Sequence, residues 1–164
     1  MIRSFLILSV IFNCFSFKAS DFEKKPLCSS FFEASKDESK RTEFHNFLDE
    51  IKSKESAQLA YLGAAKTLMA EIVSNPYSKY SYFKDGKELI ERAVNSNPTN
   101  PEIRYVRFMI QLNTPDFLDY NDDLVTDFKI IKHSIENAIV KVEWMNHLLA
   151  YLDANPTDFQ ISNT

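Results

Sequence analysis

Two glycines in a chain of 164 residues leave very few positions where the backbone can take positive φ without strain. Tight β-hairpins depend on such positions, and so do the glycine-rich loops that cradle phosphates. Sheet-rich folds with many tight turns are therefore disfavoured, and phosphate-binding loops lack their raw material. The chain is punctuated instead by Asn75-Pro76, Asn97-Pro98, Asn100-Pro101, Thr114-Pro115 and Asn155-Pro156. A residue that precedes proline is pushed out of the helical region, so each step ends a helix or begins one. With 45% hydrophobic and 26% charged residues, the chain has the makings of one folded domain. Its formal charge of -4 and pI near 5.4 lack the basic footprint of a nucleic-acid binder.

The start of the chain reads as a secretory signal peptide over residues 1–20. Arg3 supplies a basic start, and the apolar run SFLILSVIFNCFSF that follows is too short to span a membrane. Cleavage is expected between Phe17 and Asp21. Removing the signal removes Cys14 and leaves Cys28 without a disulfide partner. Asn97-Pro98-Thr99 and Asn155-Pro156-Thr157 both carry the proline that forbids N-glycosylation. The expected location is thus exported and bacterial, in the periplasm or on the outer surface, with no membrane span in the mature chain.

After the signal, residues 21–40 read as a flexible leader with a weak helix that could pack Phe31 and Phe32 on the domain, 41–156 as a single all-helical domain, and 157–164 as a tail. Phe44, Phe47, Leu48 and Ile51 recur at helical spacing from Glu38 to Lys54. Residues 57–73 are apolar nearly all round, which predicts a central helix buried from several sides. Its small residues Ala60, Gly63, Ala64 and Ala65 would let a second helix come close. A tyrosine-rich connector bearing Tyr77, Tyr80 and Tyr82 leads to a helix from about Tyr82 to Asn95. Pro101 suits the first turn of the next helix, with Glu102 beside its positive end. Asn121 is expected to cap a further helix with a core stripe of Leu124, Phe128, Ile131, Ile135 and Ala138. A last helix follows over 142–152. The expected fold class is all-α, with antiparallel helical hairpins joined by short turns.

Tyr61-Leu62-Gly63, the spacing from Ala93 to Pro98, and the immediate restart at Pro101 resemble a tetratricopeptide-like helical repeat in degenerate form. Arg104 and Arg107 stand where that repeat carries large apolar side chains. The chain also resembles small exported bacterial proteins of no assigned activity, built around a turn like NPTNPEIRYVRF. The first resemblance implies a protein-interaction module, and neither implies a catalytic residue.

Candidate binding residues fall into two groups. Arg104, Arg107 and Gln111 share a helix face, and two guanidiniums could clamp a planar anion. The plainer account pairs them with Asp or Glu of a neighbouring helix. Tyr77, Tyr80 and Tyr82 could supply aromatic anchors for a peptide groove. His133 and Glu136 could meet Glu143 and His147 across an antiparallel pair and hold zinc, although ordinary surface placement explains them as well. Asp119 to Asp123 begins like a calcium loop and then breaks the pattern at Leu124. No metal, cofactor or catalytic residue is therefore assigned.

The favoured function is an exported helical module with no catalysis of its own, binding another protein or an envelope component through Glu102 to Gln111 and the tyrosine connector. The alternative is a small helical ligand- or metal-binding protein, an enzyme included. An interaction module should expose an apolar groove, whereas a ligand site should close around converging polar groups.

Overall fold

The smallest side chains of the central apolar segment decide how the molecule packs. The computed structural model describes residues 25–52, 54–138 and 142–155. The expected signal segment (1–20) and tail (157–164) lie outside the described residues. In chain order the helices are α1 (Leu27–Lys36), α2 (Glu38–Glu50), α3 (Ser56–Ile72), α4 (Pro76–Ser96), α5 (Pro101–Leu112), α6 (Leu124–Glu136) and α7 (Glu143–Ala154). A single 3-10 turn, Asp116–Leu118, separates α5 from α6. Among the described residues there is no strand, and the fold is all-α. None of these helices is long and apolar enough to cross a membrane.

Helix α3 is central, packed against α1, α2, α4 and α5. Ala60, Tyr61, Ala64, Ala65 and Leu68 are buried along it. Its closest partner is α4, which returns antiparallel after three linking residues. The chain's two glycines meet at the crossing. A Cβ on Gly63 would lie 2.7 Å from the Gly86 carbonyl oxygen, and one on Gly86 would lie 2.6 Å from the Gly63 oxygen. Glycine serves close backbone approach here, in mid-helix, where it otherwise weakens a helix relative to alanine.

Helix α4 starts at Pro76, six residues before the expected start, so the tyrosine connector is helical. Asn75 accepts hydrogen bonds from the backbone N–H groups of Tyr77 and Ser78, and Pro76 occupies the first turn. The step read as a stop for α3 is equally a start for α4. The same device opens α5: Asn100 accepts from Glu102 and Ile103, ahead of Pro101.

Two further boundaries move. The leader expected over 21–40 contains α1, whose Cys28, Ser30, Phe31 and Ala34 are buried. Phe31 packs on Tyr61 and Tyr105, with ring centroids 6.0 and 6.4 Å apart, so the domain begins before residue 41. Helix α6 begins after Asp123, not Asn121, because Asp119 takes a left-handed turn (φ 49°) that delays the helix. Helix α7 packs chiefly on α1 and α5. Trp144 lies 5.5 Å from Tyr105 and His147 stacks on Phe32 at 4.4 Å, and these aromatic contacts draw it away from an α6 hairpin.

Candidate functional site

The expected pair Arg104 and Arg107 lies on the α5 face turned toward α6. Both side chains are buried, Arg107 being 3% exposed. Asp127 of α6, fully buried, sits between them. Arg104 Nη1 donates to Asp127 Oδ1 at 2.7 Å; Arg107 Nε and Nη2 donate to Oδ2 and Oδ1 at 2.7 and 2.8 Å. Arg107 Nη1 reaches Glu91 of α4 at 2.8 Å and Asp123 at 3.0 Å. Arg104 Nε donates to the Pro98 carbonyl at 2.8 Å, and Tyr120 donates to Glu91 at 2.6 Å. Burial pulls the Arg107 guanidinium down, but the hydrogen bonds and charge of Asp127, then the charges of Glu91 and Asp123, raise it above its ordinary value. Tyr120 is also raised, first by burial and then by its bond to Glu91.

Two cations thus face three carboxylates. All three nitrogens of Arg107 are engaged, and the planar anion in the fork is the chain's own Asp127. The arrangement is a three-helix tie. It secures α6, whose only other fully buried residue among those described is Ile131. Sequence reading missed Asp127. The signal was its position, three residues after Leu124 and four before Ile131, inside the expected apolar stripe.

Gln111 lies one turn beyond Arg107 and is 1% exposed. Neither its amide nitrogen nor its amide oxygen has a hydrogen-bond partner among the described residues. The rest of α5 departs from the expected binding surface. Ile103 to Phe108 are all buried, because α5 is flanked by α3, α4, α6 and α7.

The tyrosines divide. Tyr77 and Tyr80 are 83% and 59% exposed, three residues apart on the first turns of α4. Tyr82 turns the other way, edge-on to His45 of α2 at 6.0 Å. Tyr80 borders an open apolar groove of about 680 Å³. Its walls come from α1 (Phe32), α3 (Leu68), α4 (Phe83), α5 (Ile110), the 3-10 turn (Phe117) and α7 (Tyr151). Phe117 stands on the rim and is 83% exposed. Sequence reading passed over it, although a lone phenylalanine in a polar, proline-marked turn has no core to join. Besides tyrosines, the titratable groups at the groove are Lys36, Lys79, Glu71 and His147. Glu71 is paired with Arg41 at 2.7 Å, Lys36 lies over the Phe32 ring, and Lys79 donates to the Glu71 carbonyl at 3.4 Å.

The histidines do not assemble a metal site: no group of three His, Cys, Asp or Glu among the described residues is arranged to hold a metal ion. His133 is hydrogen-bonded with Asn137 at 3.2 Å. His147 Nε2 lies 3.3 Å from Ser29 Oγ and 3.7 Å from Glu143 Oε1, and Ser29 also donates directly to Glu143. Serine, histidine and carboxylate are present together, but a catalytic relay needs the acid on the other ring nitrogen. Here both groups meet the same one. The neighbouring Cys28 thiol is pushed up by burial, then by the charges of Glu143 and Glu102, which opposes the thiolate a nucleophile requires.

Compared with protein-family models, with curated proteins and with solved structures, the chain gives no match.

Proposed function

We propose that this chain is an exported, non-catalytic interaction module of tetratricopeptide-like helical hairpins, and that it docks another protein or an envelope component in the groove between α1, α3, α4, α5 and α7. The observation that carries this reading is the groove itself: open, walled by apolar side chains and rimmed by exposed aromatics. Soluble proteins seldom leave a contiguous apolar surface of this kind in water without a use for it. Aromatic residues on such a rim concentrate binding energy once covered. The polar groups that could have made a ligand pocket are committed elsewhere, Arg104 and Arg107 to Asp127.

Affinity capture from an envelope extract, analysed by native mass spectrometry, tests the reading when run beside a groove-filling variant. Ala70 lines the groove, and Ala70→Trp would occupy it. The expected result is one stoichiometric partner on the natural chain and none on the variant, with equal helical content by circular dichroism. Equal capture by both chains, or no partner on either, would overturn the proposal.

A further inference from the structure

Resting on the groove as the docking surface, we infer that its occupant is an amphipathic helix with acidic flanks, presented by a second protein. Two features of the groove select this partner, one through hydrogen bonding and one through charge.

The Ser, Thr and Asn side chains that line the groove already donate to carbonyls three or four residues behind them. Ser35 donates to Phe32 at 2.8 Å and Thr67 to Ala64 at 2.8 Å. Asn113 donates to Met109 at 2.8 Å and Thr114 to Ile110 at 2.7 Å. These walls have few donors to offer an incoming backbone. An extended segment would press unpaired N–H and C=O groups against apolar surface, which is costly. A helix arrives with its backbone bonds made and inserts only side chains. An isolated acyl chain also lacks backbone groups, yet it is too slender to cover Tyr80 and Phe117, which stand exposed on the rim. A helix lying along the open side would bury both and keep its polar face in water.

Charge sets the flanks. Among the described residues neither Lys36 nor Lys79 is paired with a carboxylate, whereas Glu71 is neutralised by Arg41. The rim therefore carries an excess of positive charge, although the whole chain has a formal charge of -4. Acidic residues beside the apolar stripe of the occupant would meet it favourably and speed its arrival.

Selection from a phage library of random segments, each about 20 residues so that helices can form, on the immobilised full chain decides the matter. Expected winners carry large apolar residues at i, i+3, i+4 and i+7 with Asp or Glu alongside, and they lose binding on Ala70→Trp. On the double variant Lys36→Glu, Lys79→Glu their affinity should fall about tenfold. It should return when the acidic residues of the peptide are exchanged for Lys. Both lysines are exposed, so the double variant keeps the fold. Winners with period-two or proline-rich extended patterns, or with basic flanks, would overturn the helix inference. If such winners still lost binding on Ala70→Trp, the groove would stand as the docking surface. Winners indifferent to Ala70→Trp would overturn both. Saturable binding of oleate with no selected peptide would overturn the helix inference and replace its occupant with a lipid.

Discussion

Asp127 shows how far one buried carboxylate can organise a helix. Taking an ion out of water carries a penalty of several kcal/mol, which only close pairing offsets. Asp127 receives three charge-assisted bonds from two arginines. Asp127→Ala would leave both guanidiniums buried beside weaker partners, and should lower unfolding free energy by about 3–5 kcal/mol in urea titrations. Gln111 is the opposite case. Its amide is buried without partners, so Gln111→Leu removes a desolvated polar group of similar size. Stability should hold or rise by about 1 kcal/mol in the same titration. At this scale the sequence was legible in part. Two arginines three apart, followed by Asp123 and Asp127 four apart, is a pattern of matched faces. It was obscured because Asp127 occupies a slot in an apolar stripe, where hydrophobic periodicity leads the eye past a charge.

At the scale of elements, helix starts and helix crossings carry the fold. Asn75 and Asn100 each satisfy two otherwise free N–H groups ahead of a proline. Replacing either with Ala should cost about 1 kcal/mol, read as a lower thermal midpoint. The Gly63–Gly86 crossing sets two effects against each other. Alanine is the better helix former by up to about 1 kcal/mol. Its Cβ, however, would press on backbone oxygens at 2.6–2.7 Å, and overpacking costs about 1–3 kcal/mol. Backbone cannot swing aside as a side chain can, so the clash wins. Gly63→Ala and Gly86→Ala should each be less stable than the natural chain by calorimetry. Helix α3 and its small-residue face were readable in advance because one helix contains the whole pattern. The partner glycine was not, since pairing Gly63 with Gly86 requires knowing that Asn75-Pro76 turns the chain straight back. Helix α1 was legible only in outline, as a weak helix whose Phe31 and Phe32 could pack on the domain. Its polar neighbours suggest a solvated leader, and only the seat for Phe31 beside Tyr61 and Tyr105 makes it part of the core.

For the whole molecule, the core protects ionisable groups in a way that sets its pH limit. Tyr61, Tyr105 and Tyr120 are all raised above their ordinary value of 10.0, chiefly by burial, with Glu102 adding for the first two and Glu91 for Tyr120. Cys28 is likewise raised above 9.0. Below about pH 8 both states hold these protons, so they add no pH dependence. Above those values the unfolded chain releases protons that the folded chain retains, and stability must fall as pH rises. Urea midpoints should therefore stay level with respect to these groups from about pH 7 to 8, begin to decline toward about pH 9 as the unfolded Cys28 releases its proton, and fall further beyond about 10 as the tyrosines follow. A midpoint that rose above that range would contradict the packing described. The groove belongs to this scale as well. It is assembled by five helices and a turn, which explains why Tyr80 could be named from sequence while Phe117, Leu68 and Ile110 could not be joined to it.

Tyr80 and Tyr82 provide the most direct measurement, because they sit on one helix and face opposite ways. A photoreactive benzoylphenylalanine at each position, in otherwise identical full chains exposed to the same envelope extract, separates the groove from the α2 side of the molecule. Docking in the groove requires a single crosslinked partner from position 80 and none from position 82. A partner captured from 82, or equally from both, would contradict the groove as the working surface.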